Sequence, residues 1–434
     1  MNQAFAGYRA SLRGKEVTVV GLGVSNRPLV RLLADAGARV TVCDKNEKID
    51  RAEWDGVALR LGETYLDGLS GDIIFRTPGL RPGHPALLEA KANGSRVTSE
   101  MEEFFALCPC PVTGVTGSDG KTTTTTLIAE MLRAGGHTVH LGGNIGAPLL
   151  SLAGQMEPQD RAVVELSSFQ LIDMTKSPRT AVITNITPNH LDWHRDMEEY
   201  IAAKRNILNW QDENGLAVLN GDNPVTDKMR GRGHTVYFGG SRIADGMIDG
   251  FLPLSDIRLR GYYQVENILA ALSAVRDAVP EEAVRQVAAS FSGVPHRNEY
   301  IATVDGVNYY NNSIGSSPAR TEATLRAHGK PVFLIAGGRD KNVPFDGLAA
   351  LFPAFVKRLF LIGEAADAIG RAADAVPGAP PAEVCGGLED AVYRARDAAK
   401  PGDTVLLSPA CTAFDAYANF EERGRHFVEI VRSL

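Results

Sequence analysis

Gly114-Val115-Thr116-Gly117-Ser118-Asp119-Gly120-Lys121-Thr122 matches GxxxxGK[ST] in full, and its flanks supply the context that pattern needs. The apolar run 111–115 reads as a short strand, and 123–133 reads as a helix with Leu127, Ile128, Met131 and Leu132 on one face. Strand, glycine loop and helix start together make a phosphate cradle. Backbone N–H groups of Gly114 to Thr123 point at an anion, Lys121 spreads positive charge over the β- and γ-phosphates, and the Thr122 hydroxyl is placed to ligate Mg²⁺. The expected ligand is ATP.

Outward from the loop, 434 residues are too many for one ordinary core and suggest two to four domains of about 100 to 200 residues each. The composition is that of a soluble globular chain, 44% hydrophobic and 22% charged. Its net charge of −7 argues against a nucleic-acid or membrane surface as partner. Residues 1–14 show no apolar leader, and no later run approaches the ~20 apolar residues of a membrane span, so a cytoplasmic location is expected. The five cysteines are scattered, and Cys108-Pro109-Cys110 has the wrong spacing for a zinc knuckle, so reduced, mostly buried thiols are expected.

Before the loop, a β-branched strand at 15–21 runs into Gly21-Leu22-Gly23-Val24-Ser25-Asn26 and a helix through Leu29, Leu32 and Leu33. A second strand, 39–43, ends in Asp44 at the distance expected of a ribose-binding acid. This opens a Rossmann-like unit, but Asn26 stands where a dinucleotide fingerprint has its third glycine, so NAD is not specified. Strand 72–77 ends at Pro78-Gly79, and an acidic helix around 100–105 reads as a linker. Strands at 137–141, 161–166, 180–185, 216–220 and 235–238 alternate with helices and predict a mostly parallel sheet. Glu165 closes a buried strand where phosphate-loop enzymes place a metal-binding acid, with a solvated strand-end acid as the alternative. His190 and His194 form an i,i+4 pair without a third zinc ligand, and Lys204 on the amphipathic stretch 198–208 reads by itself as a solvated charge. Asn267, in an apolar helix over 261–274, reads equally as a purine contact or a backbone cap. Strands at 331–336, 358–362 and 403–407 form a further doubly wound unit, whose edges carry Gly337-Gly338-Arg339-Asp340-Lys341 and Ser408-Pro409-Ala410-Cys411. Lys341 is a natural carboxylate anchor, and 373–381 reads as a surface loop. The expected fold is α/β in three domains: Rossmann-like 1–99, a phosphate-loop ATPase domain with a mostly parallel sheet at 100–295, and a second doubly wound Rossmann-like domain at 296–434.

Taken together, these stretches resemble the Mur ligase family of ATP-dependent amide ligases over the whole chain. The likeness rests on the run from Gly114, Gly143-Asn144-Ile145-Gly146, Glu165-Leu166-Ser167-Ser168-Phe169-Gln170-Leu171 and the 185–190 turn. It extends through Ala203-Lys204, Asn267, His296-Arg297, Gly337-Gly338 with Lys341, Leu407-Ser408-Pro409-Ala410-Cys411, and Asn419-Phe420-Glu421 with Arg423-Gly424. The resemblance implies that a substrate carboxylate attacks the γ-phosphorus of ATP, and that an amino acid then displaces phosphate from the acyl phosphate. The implied pair is UDP-N-acetylmuramoyl-L-alanine and D-glutamate, handled by a monomer in peptidoglycan synthesis.

The same resemblance assigns residues. Thr122 and Glu165 would hold one Mg²⁺ and His190 a second, with Lys204 carbamylated by CO₂ as an anionic metal support. Lys121, Glu165, His190 and Lys204 form the implied catalytic set; Asn267, Arg297 and Asn312 face the nucleotide together with the loop. Gly21, Gly23, Val24, Ser25, Asp44 and Gly79 face the uridine diphosphate, Asn144 and Ser167 the acceptor, and Lys341, Ser408 and Phe420 the incoming glutamate. Some positions depart from the family pattern. Asp119 replaces a loop asparagine, Asn312-Ser313-Ile314 stands for Asp-Ser-Lys, Ala413 for a serine, Tyr263 and Gln264 for a familiar amide and histidine before Asn267, and Lys45 and Asn46 for Thr and Arg. They leave open a relative that adds another amino acid, such as L-glutamate, or one that binds ATP without ligation.

Overall fold

The computed structural model describes residues 2–23, 26–191, 193–259, 262–340 and 343–434, in two compact units, Met1–Phe291 and Ser292–Leu434. In the first unit, Val17, Val19 and Val20 bury both faces of strand Glu16–Val20, the pattern of a parallel strand covered on two sides. It lies at the centre of a five-stranded sheet, with Arg39–Asp44 and Ala58–Leu61 on one side and Ile73–Phe75 and Arg96–Thr98 on the other. The chain therefore switches direction across the sheet between Glu16–Val20 and Ile73–Phe75. Their carboxyl ends carry Gly21–Gly23 and Pro78-Gly79 at the place where open α/β sheets bind ligands.

A six-stranded sheet follows in the order His234–Phe238, Leu216–Asn220, Thr180–Ile183, Val112–Thr116, Arg161–Glu165, Val139–Gly143, with every pairing parallel. The phosphate-loop strand sits between its neighbours, so the loop opens beside Glu165 on one side and Thr184 on the other. Helix Lys121–Ala134 buries Leu127, Ile128, Met131 and Leu132, as the sequence predicts, against Val115, Val163 and Val182 of the sheet and Ile268 and Leu272 of helix Tyr262–Val275.

Two features go beyond the sequence reading here. The acidic helix expected as a linker is present, and it is packed into the core. Helix Glu100–Leu107, capped by the Ser99 side chain, buries Met101 and Phe104 in the core, and also Glu100, whose carboxylate accepts from the Leu150 N–H at 2.8 Å. Residues 243–253 form a small antiparallel sheet of three two-residue strands, too short to show any period in sequence.

The second unit is a six-stranded sheet in the order Glu299–Val304, Val307–Asn311, Thr404–Ala410, Val332–Gly337, Val356–Ile362, Ala382–Val384. Four pairings are parallel, and the first two strands form an antiparallel hairpin through Asp305-Gly306. Alternate residues fill two cores: Leu334, Leu359 and Leu361 on one face, Phe333, Ile335 and Phe360 on the other. The stretch expected as a surface loop begins later than predicted, because buried Ala373 belongs to helix Ala366–Asp374.

Candidate active site

Gly114 lies inside strand Val112–Thr116, where a Cβ would come within 2.8 Å of Pro178, so its bareness serves packing. Gly117 turns at φ 149°, and a Cβ there would stand 1.9 Å from Thr184 Oγ1. At Gly120, φ 78°, it would stand 2.2 Å from Asn267 Oδ1. Backbone and neighbours therefore leave room at these two points only for glycine. The loop is held from outside as well. Thr184 Oγ1 donates to Asp119 O, the Asp119 N–H donates to Asn185 Oδ1 at 3.0 Å, and Ser118 Oγ donates to Thr187 O and pairs with the Tyr200 hydroxyl, both at 2.9 Å. Lys121 Nζ donates to Gly117 O and Ser118 O, folding its charge over the loop. Thr116, fully buried, ties its hydroxyl to Leu166 O at 2.7 Å, and Thr123 is half-buried in the first helical turn.

At the loop's open end the Thr122 hydroxyl donates to Glu165 Oε2 at 2.7 Å, and the Asn144 amide donates to Glu165 Oε1 at 2.8 Å. Glu165 is 1% exposed, and both of these donors are neutral. A hydroxyl and a carboxylate side by side form the oxygen set that a hard divalent cation takes. Lys204 is 2% exposed; its Nζ donates to Gly117 O at 2.7 Å and lies 4.7 Å from the centre of the Tyr200 ring. Burial first and the Lys121 charge second push its pKa down to about 6, so the amine is largely neutral near pH 7. The sequence reading of a solvated lysine does not hold.

His190 is exposed, in a left-handed backbone conformation at φ 54°, with its ring 5.0 Å from that of Phe169. Ser167 caps the short helix Ser168–Leu171 in a capping box with Gln170. Next to it stands a group that the sequence did not reveal: Ser168 Oγ lies 2.9 Å from His194 Nε2, His194 Nδ1 lies 3.4 Å from Glu199, and Glu199 is held by Arg81 at 2.7 and 2.8 Å. Burial lowers the pKa of His194, so it serves as a neutral buried connector. Only the spacing of His190 and His194 marked it in sequence.

In the first sheet, Gly21 turns at φ 82° under Thr77, and Gly23 and Gly79 are exposed. Asp44 accepts from the Leu22 N–H at 2.5 Å and the Asn46 N–H at 2.7 Å, so it braces the glycine turn. Arg76, unremarked in sequence, is buried and joins this turn to the segment after Glu165. It donates to Thr77 O, Pro78 O and Leu80 O on one side and to Phe169 O and Asp173 on the other. Val24 and Ser25 lie outside the described residues. Asn267 accepts from Thr124 Oγ1 at 3.2 Å and borders a cavity of about 50 Å³ with Asp119, Asn185 and Tyr263. That is far below the roughly 300–1,000 Å³ of ligand pockets, so an adenine entering there needs side chains to move.

In the second unit, Asn312 and Ser408 are buried and 3.0 Å apart. Asn312 also donates to Thr324 Oγ1, and Ser408 pairs with Thr321 Oγ1 at 2.9 Å. The Phe420 ring lies 6.2 Å from that of His296, its carbonyl accepts from Ser313 Oγ, and Arg297 is exposed. Buried Arg423, which the sequence reading did not single out as a site residue, donates to Ser313 Oγ, Ser313 O and Cys411 O. Lys341 lies outside the described residues.

Residues 15–99 match the Mur ligase MurD-like N-terminal domain, 115–275 the Mur ligase middle domain, and 296–411 the Mur ligase glutamate ligase domain. A UDP-N-acetylmuramoylalanine--D-glutamate ligase of Clostridium kluyveri is 46% identical over 458 aligned residues, covering 100% of both chains. The protein of that name from Acetivibrio thermocellus is 45% identical over 469, again covering 100% of both. This chain belongs to the Mur ligase family. Solved Mur ligases share its fold. A UDP-N-acetylmuramate-alanine ligase of Thermotoga maritima superposes with a TM-score of 0.54 at 16% identity, covering 96% of this chain and 99% of its own. A MurF ligase from Thermotoga maritima, solved with ADP, does so with 0.54 at 18%, covering 100% and 99%. No helix among the described residues is long and apolar enough to cross a membrane.

Proposed function

We propose that this Mur ligase joins D-glutamate to UDP-N-acetylmuramoyl-L-alanine at the expense of ATP, a cytoplasmic step of peptidoglycan synthesis, as a monomer of three domains, 1–99, 100–295 and 296–434. The observation that carries it is the hydrogen-bonded Asn144–Glu165–Thr122 chain at the mouth of the phosphate loop, its carboxylate and hydroxyl buried and its amide exposed, in a chain 46% identical over its whole length to a ligase of that name. Lys121 and the loop N–H groups of Gly117 to Thr123 hold the β- and γ-phosphates. Thr122 and Glu165 would offer oxygens to one Mg²⁺, and His190 with a Lys204 carbamate would support a second; bound Mg²⁺ would neutralise charge on the phosphoryl oxygens. The acceptor carboxylate, oriented by Asn144 and Ser167, attacks the γ-phosphorus, and ADP leaves. The D-glutamate amine, having lost a proton to solvent, then attacks the acyl carbon, and phosphate leaves.

The chemistry of Lys204 supports its role. An amine with its pKa near 6 is the nucleophilic form toward CO₂, and carbamate formation releases one proton while turning a donor into an anion. Gly21, Gly23, Val24, Ser25, Asp44 and Gly79 are assigned to the uridine diphosphate. Asn267, Arg297 and Asn312 are assigned to the nucleotide, and Lys341, Ser408 and Phe420 to glutamate.

The test is phosphate release with UDP-N-acetylmuramoyl-L-alanine and ATP against a panel of D- and L-amino acids. D-glutamate should be used at least tenfold better than any other. Preference for L-glutamate would replace the amino-acid assignment, and ATP binding without release would replace the enzymatic one.

A further inference from the structure

We propose that Cys108 and Cys110 form a reversible thiol/disulfide site at the root of the phosphate-loop strand. Their sulfurs lie 3.5 Å apart, and Cys108 Sγ is also 3.5 Å from Cys110 O and 4.0 Å from Met156 Sδ. Closing the pair to the roughly 2.05 Å of a disulfide needs a local shift at Cys108, the C-cap of helix Glu100–Leu107. Pro109 between them restricts the backbone to one φ, which limits the conformations open to the short segment that joins the two thiols. Among the described residues no group of three metal-binding side chains is present, so a dithiol and not a metal knuckle fits the geometry.

The two thiols are unlike. Cys108 is half-buried, and its thiol is held below the usual cysteine range by the hydrogen bond from Cys110. Cys110 is buried, and the same contact followed by desolvation pushes its thiol up. Being the more exposed of the two, Cys108 is the sulfur a small disulfide reaches first, and Cys110 is the resolving one.

The co-reactant is a low-molecular-weight disulfide. Cys108, having given its proton to solvent, attacks one sulfur of that disulfide; the small S–S bond breaks and one small thiolate leaves, taking up a proton. Cys110 gives its proton to solvent and attacks Cys108 Sγ, and the second small thiol leaves. Two protein thiols are oxidised to one disulfide while the small disulfide is reduced to two thiols. The position gives the reaction a reach beyond itself, because Pro111 O accepts the Ala162 N–H at 3.1 Å and the strand that starts at Val112 ends at the phosphate loop.

The test equilibrates the folded full-length chain with oxidised glutathione, traps remaining thiols by alkylation and maps the peptide containing 108–110 by mass. The expected product lacks two hydrogens and is restored by dithiothreitol. Cys110→Ser should instead accumulate a mixed disulfide on Cys108, at least tenfold over the parent, and Cys108→Ser should leave Cys110 unmodified while keeping parental phosphate release in reducing buffer. A persistent glutathione adduct on the parent's Cys108, or two alkylated thiols after equilibration, overturns the proposal.

Discussion

The Thr122 hydroxyl donates to Glu165 Oε2 at 2.7 Å, joining the first turn of the phosphate-loop helix to the end of the neighbouring strand. Because the Asn144 amide caps the other oxygen, the carboxylate is held in place before any ligand arrives. A buried anion met by neutral donors is a cost to the fold and a resource for the reaction. Glu165→Gln should therefore lower phosphate release at least a hundredfold while leaving the melting temperature unchanged or higher. A parallel fall of both in calorimetry and turnover would show the carboxylate to be structural.

Lys204 leads to a prediction about dissolved CO₂. Burial and the nearby Lys121 charge push its pKa down to about 6, so the proton is off above that value and on below it. With ¹³C-bicarbonate, a carbamate carbon signal should be present at pH 7.5 and fade as pH falls through about 6. Lys204→Ala should lose the signal and at least a hundredfold of kcat, with partial rescue by short carboxylates. A kcat within about twofold of the parent would remove the lysine from the mechanism.

Gly117 offers no room. Its positive φ and the 1.9 Å approach of Thr184 Oγ1 mean that Gly117→Ala must displace the loop or the Thr184 turn. The expected cost is about 1–3 kcal/mol in denaturant unfolding, with ATP affinity falling at least tenfold by calorimetry.

Glu100 makes stability depend on pH in the direction opposite to the usual carboxylate. Burial raises its pKa from 4.5 to about 7, partly offset by the Leu150 and Leu149 N–H groups. Between those values the folded chain binds the extra proton, so stability falls as pH rises through the window and stays lower above it. Glu100→Gln keeps an acceptor for the Leu150 N–H and removes the charge. Melting curves should show little difference at pH 4.5 and a stabilisation of about 1–3 kcal/mol by pH 8.

Much of this was legible in the chain. The strand, loop and helix around Lys121 announce themselves because glycine geometry and apolar spacing are local properties. The hairpin at Glu299–Asn311 was also within reach, since Val304-Asp305-Gly306-Val307 carries the Asp-Gly turn signal between β-branched residues. Buried charge was not legible. Glu100 and Lys204 look solvated by composition, and only tertiary packing takes them out of water. The Ser168–His194–Glu199–Arg81 chain was hidden for a related reason, because its members lie up to 118 residues apart in sequence.

The buried guanidinium of Arg76 spreads its donors over three carbonyls of its own turn, one of the Phe169 segment, and Asp173. A lysine has three donors on one atom and no planar fork, and a neutral side chain strands Asp173 and the carbonyls alike. Randomising this codon and selecting for growth on the encoded enzyme should return arginine alone, making position 76 as unforgiving to drift as any residue that touches substrate.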